Sequence, residues 1–188
     1  MHVCLTDLAQ HAIAARLHPG DTAIDATAGN GHDTLFLARR VGENGRVLAF
    51  DVQPRALRQA RERLRQAGLT ARVTWHCLGH EHMDQTVPED WRPRLRAVMF
   101  NLGYLPRGDK RLITTAATTT AALEKALALL APGGRISLIA YTGHPGGRQE
   151  CEAVRDWLYR QPADLLSWRT VIPQGRRRPP WLFLIDKR

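Results

Sequence analysis

The order of hydrophobic and polar positions along the chain predicts that helices and strands alternate. The first segment carries an apolar stripe with the 3.6-residue spacing of a helix, which ends at Pro19 and Gly20. Five short apolar segments then predict strands: residues 22–25, 47–51, 71–76, 96–100 and 135–141. Amphipathic segments predict the remaining helices: residues 32–41, 53–68, 114–130 and 150–160. Two last apolar segments, 167–172 and 181–185, predict a final pair of strands.

Alternation of this kind is typical of an α/β protein in which helices cover both faces of a mostly parallel sheet. We therefore predict a seven-stranded sheet in a single domain over residues 1–188, with a helix within 1–20 and a terminal hairpin within 166–188. Such sheets bind ligands at the carboxyl ends of their strands. That rule brings five predicted loops together: residues 25–34, 51–54, 76–84, 101–110 and 141–147.

The loop after the first predicted strand has the composition of a nucleoside-binding turn. It reads Asp-Ala-Thr-Ala-Gly-Asn-Gly-His-Asp-Thr over residues 25–34, and its two glycines allow the backbone to approach a ligand closely. The helix that follows offers free N–H groups at its amino terminus. Twenty residues after Gly31, Asp51 ends the next predicted strand, where a carboxylate accepts hydrogen bonds from both hydroxyls of a ribose.

Two residues of the turn indicate which nucleoside it binds. A dinucleotide site has a third glycine where this chain has Thr34, and its pyrophosphate arrives where this chain has Asp33. A carboxylate repels pyrophosphate but attracts a cation. S-adenosylmethionine has no phosphate but carries a sulfonium and an ammonium, and Asp25 and Asp33 can pair with that ammonium. The turn therefore favours S-adenosylmethionine over a nicotinamide dinucleotide.

Five motifs in order resemble class I S-adenosylmethionine-dependent methyltransferases. They are DATAGNGHDT (25–34), FDVQ (50–53), GHE (79–81), FNLGYLPRGDK (100–110) and YTGHPGG (141–147). More narrowly, they resemble one small family of rRNA methylases, which includes the bacterial enzyme that methylates 5-aminomethyl-2-thiouridine at the wobble position of tRNA. The chain departs from the usual class I pattern at Thr27, which replaces its first glycine.

The resemblance implies which residues hold the cofactor. Those for the methionine half are Asp25, Thr27, Gly29, Asn30, Gly31 and Asp33; those for the ribose are Asp51 and Gln53. His80 and Glu81 are expected to border the adenine and ribose pocket. The resemblance also implies a homodimer and an RNA substrate, which is the anticodon stem-loop of tRNA or, as the alternative, rRNA. No metal is expected, because the cluster of histidines and Cys77 within residues 76–82 has no common zinc spacing.

The loop after the fourth predicted strand carries the candidate catalytic residues. Its sequence Asn101-Leu102-Gly103-Tyr104 resembles the Asn-Pro-Pro-Tyr loop of amino methyltransferases. Methyl transfer from a sulfonium is an in-line displacement, so the enzyme mainly has to position the nucleophile. The Asn101 carbonyl can aim the lone pair of an amine, and Tyr104 can stack on the base or bond to its edge. An alkylammonium must first lose a proton to Asp109, Tyr141, His144 or solvent, and the ordinary pKa of histidine favours His144.

The charge balance favours a polyanionic partner. Lysine and arginine number 27 against 18 acidic residues, which gives a net charge of +9, and all but three of the 27 are arginines. Cations that meet phosphates release condensed counterions, which favours nucleic acid, although a general bias toward arginine produces the same count. Arg107 and Lys110 are the expected RNA contacts beside the acceptor loop, with Asp109 and Tyr141 as further substrate-binding residues.

The remaining features exclude little. Three widely spaced cysteines form no disulfide framework and suit a reducing cytoplasm. No apolar run reaches the roughly 18 residues of a membrane span, and the first ten residues do not resemble a signal peptide. Three other functions stay open: a nicotinamide-dependent oxidoreductase, a non-catalytic RNA-binding protein and a small-molecule methyltransferase. Asp33 and Thr34 argue against the first of these, and Asp51 and Asn101 argue against the second; the third predicts an activity that is insensitive to salt.

Overall fold

The chain forms an open sheet with helices packed against it. The computed structural model describes residues 4–103, 113–175 and 177–188; of residues 92 and 93 it describes the backbone. Its strands are β1 (Thr22–Asp25), β2 (Arg46–Phe50), β3 (Val73–His76), β4 (Leu95–Leu102), β5 (Arg135–Ala140), β6 (Leu166–Val171) and β7 (Trp181–Lys187). Its α-helices are α1 (Leu5–Ala14), α2 (His32–Arg40), α3 (Pro54–Gln66), α4 (Ala116–Leu129) and α5 (Gly147–Tyr159).

Short 3-10 helices span Thr70–Arg72, His80–Gln85 and Glu89–Arg94.

The strands form one sheet in the order β3-β2-β1-β4-β5-β7-β6. Neighbours from β3 to β5 are parallel, whereas β7 runs antiparallel to both β5 and β6. The predicted seven-stranded, mostly parallel sheet with a terminal strand pair is therefore confirmed. The strand order reverses between β1 and β4, which is the place where sheets of this kind bind ligands at their carboxyl ends.

Each face of the sheet carries its own hydrophobic core. On one face, α1, α2 and α3 contribute Ile13, Leu37 and Leu64 to a cluster with β-strand residues such as Val47. On the other face, α4 and α5 contribute a second cluster, in which Leu123 and Trp157 pack with Phe100 and Phe183. Because successive strand residues point to opposite faces, the central strands supply both cores and are mostly apolar. The prediction that helices cover both faces is confirmed.

Several boundaries in the structure differ from the sequence prediction, and three differences bear on the site. Strand β4 runs on through Leu102, so Asn101 lies in the strand and not in the loop after it, and it pairs with Ile139 of β5. Periodicity ended the strand at Phe100 because Asn101 is polar. Residues 82–95, for which neither a helix nor a strand was predicted, contain most of two 3-10 helices. Helix α5 begins at Gly147, three residues earlier than predicted, after Gly146 in the left-handed conformation at φ 81°.

None of the helices in the described part of the chain is long and apolar enough to cross a bilayer.

Candidate active site

The turn between β1 and α2 requires glycine at its tightest point. Gly31 has a φ of 79°, and its N–H donates to the carbonyl of Ala28 at 2.7 Å. A Cβ on Gly31 would lie 2.8 Å from both Cα and Cβ of Ala60 in α3, so α3 packs directly against the turn. Arg63 of α3 also donates from Nε to the Asn30 carbonyl at 2.8 Å. The predicted glycine turn therefore owes its shape to a helix that lies about thirty residues further along the chain.

Asp51 lies at the carboxyl end of β2, beside this turn. Its Oδ2 accepts from the Gly29 N–H at 2.9 Å, and its Oδ1 accepts from the Gln53 N–H at 2.8 Å. Burial raises the pKa of Asp51, whereas these two backbone hydrogen bonds lower it. The carboxylate is thus held in one orientation while each oxygen retains a second lone pair for a ligand.

Two further carboxylates lie buried behind the turn. Asp25 is 1% exposed and accepts from the Thr34 hydroxyl at 2.5 Å and from the Thr27 N–H at 3.2 Å. Asp33 is also buried, and its Oδ1 accepts from Nε2 of Gln10 at 2.8 Å. Sequence reasoning missed Gln10, which lies on α1 and carries no motif that points to this contact.

The buried carboxylates are electrostatically strained. Burial raises the pKa of Asp25, and the nearby carboxylates of Asp33 and Asp51 raise it further, against the hydrogen bonds from Thr34 and Thr27. Burial also raises the pKa of Asp33, while hydrogen bonds from Gln10 and Asn101 and the charge of His32 lower it. Like charges in one buried site are costly, so the arrangement suits a cationic ligand.

Thr27 connects the turn to the end of β4. Its Oγ1 accepts from the Asn101 N–H at 2.7 Å, and the Asn101 side chain lowers the pKa of Asp33. Glycine, which usually stands at this point of the motif, has no hydroxyl to make this bond. The residue that departs from the pattern therefore joins the predicted cofactor turn to the predicted acceptor strand.

His80 closes the same region from the segment after β3. Its ring is buried, its Nδ1 lies 3.3 Å from the Ala26 carbonyl, and its edge faces Phe100. Burial lowers the pKa of His80, with Glu81 and the bond to Ala26 acting in the opposite direction. Lys125 of α4 holds the segment through an ion pair with Asp84 at 2.8 Å. Within the described residues, no three His, Cys, Asp or Glu side chains are grouped as metal ligands.

The loop between β5 and α5 contains Tyr141 and His144. Nδ1 of His144 lies 2.9 Å from the Pro145 carbonyl, and a Cβ at Gly103 would lie 3.5 Å from His144 Nε2. The structure thus brings His144 beside the chain that leaves β4. Tyr141 is 40% exposed at the same edge. Four predicted site residues lie outside the described residues: Tyr104, Arg107, Asp109 and Lys110.

Glu150 is a second residue that sequence reasoning missed. It lies in the first turn of α5, where it is 1% exposed and accepts hydrogen bonds from Thr114 and Thr119. The sequence did contain a signal, because Glu150 shares the helix face of Val154, Trp157 and Leu158, all of which are buried. An acid on an apolar helix face marks a buried carboxylate that needs polar partners.

The fold and the site together define the class of the protein. The sheet order, the glycine turn after β1 and the fixed carboxylate after β2 are those of a class I methyltransferase fold. The chain belongs to the family described as "Putative rRNA methylase", whose model matches residues 47–186. A second model, for protein-L-isoaspartate(D-aspartate) O-methyltransferase, matches residues 1–91.

The curated relatives are methyltransferases. The chain is 47% identical over 146 residues to the chloroplastic tRNA (mnm(5)s(2)U34)-methyltransferase of Arabidopsis thaliana, an alignment that covers 73% of this chain and 53% of the relative. It is 28% identical over 134 residues to the ubiquinone/menaquinone biosynthesis C-methyltransferase of Hydrogenovibrio crunogenus, which covers 71% of this chain and 47% of that protein. The chain therefore spans about half the length of these curated relatives.

Solved structures match along the whole chain. The crystal structure of a "putative rRNA-methylase" from Clostridium thermocellum superposes with a TM-score of 0.94 at 38% identity, covering 100% of both chains. A "putative methyltransferase" from Streptococcus mutans, in complex with SAH, superposes with a TM-score of 0.88 at 35% identity, again over 100% of both chains. The sequence-based family assignment is confirmed.

Proposed function

We propose that this protein transfers a methyl group from S-adenosylmethionine to the amine nitrogen of 5-aminomethyl-2-thiouridine at the wobble position of tRNA. The observation that carries the proposal is the hydrogen bond from the Asn101 N–H to the Thr27 hydroxyl, at 2.7 Å. It joins a turn suited to a cationic nucleoside to a strand end suited to an amine. The Arabidopsis relative, whose name states this tRNA activity, supports the choice of substrate.

The donor set of the turn fits S-adenosylmethionine. Asp51 offers two fixed oxygens for the ribose hydroxyls, in the manner of other nucleoside sites. Asp25 and Asp33 offer buried negative charge for the ammonium of the methionine half. Val52, beside Asp51, is 50% exposed and gives the adenine ring an apolar surface. The Streptococcus mutans neighbour, which has SAH bound, supports this assignment.

The chemistry divides between the ligand and two side chains. When bound, S-adenosylmethionine supplies an electrophilic methyl carbon on its sulfonium. Asn101 holds the acceptor amine: its side-chain carbonyl oxygen accepts an N–H of the amine and so aims the nitrogen lone pair. His144, beside Gly103, takes the proton that the ammonium must lose. Orientation and proton removal are what such a transfer requires of the protein.

The RNA phosphates need cations around the same edge of the sheet. Arg107 and Lys110 are our proposed contacts within the acceptor loop. Among the described residues, Arg177 and Arg178 are exposed in the hairpin turn, which the Thr142 hydroxyl ties to the β5–α5 loop through the Pro179 carbonyl at 2.9 Å. The anticodon stem-loop as the bound element, the homodimer and the cytoplasmic location stay predictions.

The first experiment compares the modified nucleosides of tRNA from cells with and without this gene. Loss of the methylated nucleoside together with accumulation of 5-aminomethyl-2-thiouridine supports the proposal. Purified protein is then incubated with labelled S-adenosylmethionine and either the tRNA or the rRNA of the deficient cells. Label in rRNA alone favours the second candidate function, rRNA methylation, which the family description supports. Label in neither RNA contradicts both.

A variant tests the site itself. Asn101→Ala is expected to lower turnover by about a hundredfold, the cost of a misplaced nucleophile, with a smaller change in affinity for S-adenosylhomocysteine. Arg58→Ala, an exposed substitution on α3, is the control. Equal losses of turnover and cofactor affinity would remove Asn101 from the orienting role.

A further inference from the structure

Glu150 is a carboxylate that the proposed chemistry does not use. It is 1% exposed, and each of its oxygens accepts a hydrogen bond from a threonine hydroxyl. Thr119 donates to Oε1 at 2.7 Å and Thr114 donates to Oε2 at 3.0 Å. A buried carboxylate is costly unless its hydrogen bonds repay the desolvation, so its position calls for a role.

Thr114 leads from Glu150 to the end of β4. Its Oγ1, which donates to Glu150, also accepts from the Gly103 N–H at 3.0 Å. In return, the Thr114 N–H donates to the Gly103 carbonyl at 3.3 Å. The chain thus leaves β4 at Gly103 and is bonded back to it at Thr114. Gly103 lies two residues after Asn101, the proposed holder of the acceptor amine.

The β5–α5 loop leads into the helix turn that carries Glu150. His144 of this loop lies beside Gly103. Burial raises the pKa of Glu150, and the hydrogen bonds from Thr119 and Thr114 and the charge of His144 lower it. Glu150 therefore connects two parts of the site through hydrogen bonds, the start of α4 and the end of β4, and it lies in the first turn of the helix that follows the His144 loop.

A simpler account would be that Glu150 serves only its own helix. An acid in the first turn interacts favourably with the helix dipole, but an exposed side chain obtains that benefit without desolvation. Here both oxygens are committed to threonines at or before the start of another helix. The dipole does not explain why this acid is buried against that segment.

We propose that Glu150 is a positioning residue that fixes the Asn101 end of β4 through the Thr114 hydroxyl. The inference rests on the proposed function, in which Asn101 holds the acceptor amine. Glu150 itself touches neither the acceptor nor the methyl group; it acts through Thr114 and Gly103.

The test compares threonine variants of similar volume. Thr114→Val removes the hydroxyl that joins Gly103 to Glu150, and Thr114→Ser keeps it. Thr119→Val removes the other hydrogen bond of Glu150 but leaves Gly103 bonded. Thr120→Val is the neutral control, because its hydroxyl partners among the described residues are carbonyls of its own helix, Ala116 and Ala117.

Two readouts separate positioning from stability. Thr114→Val is expected to lower kcat about tenfold or more with little change in KM for tRNA, while Thr114→Ser stays near wild type and Thr119→Val loses less. Hydrogen exchange at the Gly103 amide, which needs no activity, is expected to accelerate about fivefold in Thr114→Val, as for one lost hydrogen bond. Glu150→Gln, which has one acceptor oxygen fewer, is expected to shift both readouts in the same direction.

The outcomes also separate this inference from the proposed function. Unchanged exchange at Gly103 in Thr114→Val and Glu150→Gln overturns the positioning role whether or not wild-type protein methylates tRNA. Equal losses of kcat in Thr114→Val and Thr119→Val, in proportion to their lowered thermal stability, also overturn it. If the wild-type protein does not methylate tRNA but exchange at Gly103 is accelerated in both variants, Glu150 still anchors this strand end, and the proposed tRNA methylation is refuted.

Discussion

Replacement of Gly31 by alanine should reveal how strongly the cofactor turn depends on α3. Two independent terms add at this position. A left-handed backbone costs a residue with a Cβ about 1–2 kcal/mol, and Gly31 has a φ of 79°. The new Cβ would also lie 2.8 Å from Cα and Cβ of Ala60, and overpacking of this kind costs about 1–3 kcal/mol. We expect Gly31→Ala to lower the free energy of unfolding by about 2–5 kcal/mol.

The chain offers a matched control at Gly68. Its φ of 70° is similar, but in the described part of the chain no atom lies within 4 Å of the Cβ that alanine would add. Gly68→Ala therefore carries the backbone term alone, about 1–2 kcal/mol. For a chain of this size each kcal/mol shifts Tm by about 2–4 °C, so thermal unfolding of the two variants resolves the contribution of the contact with Ala60.

Two further measurements connect the contact to the site. Ala60→Gly removes one of the two crowding atoms, so it should destabilise wild-type protein but recover part of the loss in Gly31→Ala, a coupling of about 1–3 kcal/mol. Because the crowding moves the turn that carries Gly29, Gly31→Ala should also weaken binding of S-adenosylhomocysteine, measured by calorimetry. Equal destabilisation of Gly31→Ala and Gly68→Ala, or additive effects in the double variant, would refute the reasoning.

Three other predictions concern the ligands. Asp51→Ala should weaken binding of S-adenosylhomocysteine by about 1–3 kcal/mol, the penalty for unmatched ribose hydroxyls; unchanged affinity in calorimetry would remove Asp51 from the ribose role. Burial raises the pKa of Asp25 and Asp33, and a bound ammonium needs them ionised. The affinity should therefore rise, with release of protons, from about pH 5 to about pH 8; a constant or falling affinity would contradict this. Replacing Arg107 and Lys110 together by alanine should weaken tRNA binding and reduce its salt slope by about 2, whereas the exposed pair Arg58 and Arg65 should leave the slope unchanged.

Local chemistry explains what the sequence predicted well. The turn at residues 25–34 could be located because glycines between an apolar strand and a helix have few other uses. The separation between Gly31 and Asp51 follows from one strand-helix-strand unit, so the distance along the chain predicts closeness in space. The observed bond from the Gly29 N–H to Asp51 is such a contact. The mostly parallel sheet could be predicted for a similar reason, since parallel strands need helical crossovers.

Contacts between distant segments explain what the sequence did not predict. Gln10 donates to Asp33 across 23 residues and Thr114 donates to Glu150 across 36 residues. Nothing in the local pattern of either segment specifies its partner, because a polar residue on an amphipathic helix has the same appearance whether it faces solvent or a buried carboxylate. The end of β4 was misplaced for a related reason: Asn101 is polar, but its pairing with β5 continues the strand.

Thr27 shows how a departure from a motif can carry information about the site. In a purely local interpretation, a threonine in place of glycine weakens the resemblance to a cofactor turn. In the structure its hydroxyl accepts the Asn101 N–H at 2.7 Å. The acceptor strand is thereby bonded to the turn through the threonine side chain. Displacement of a methyl group needs donor and acceptor held at a fixed separation. The hydroxyl of Thr27 contributes to that separation, because it joins the cofactor turn to the acceptor strand through one hydrogen bond.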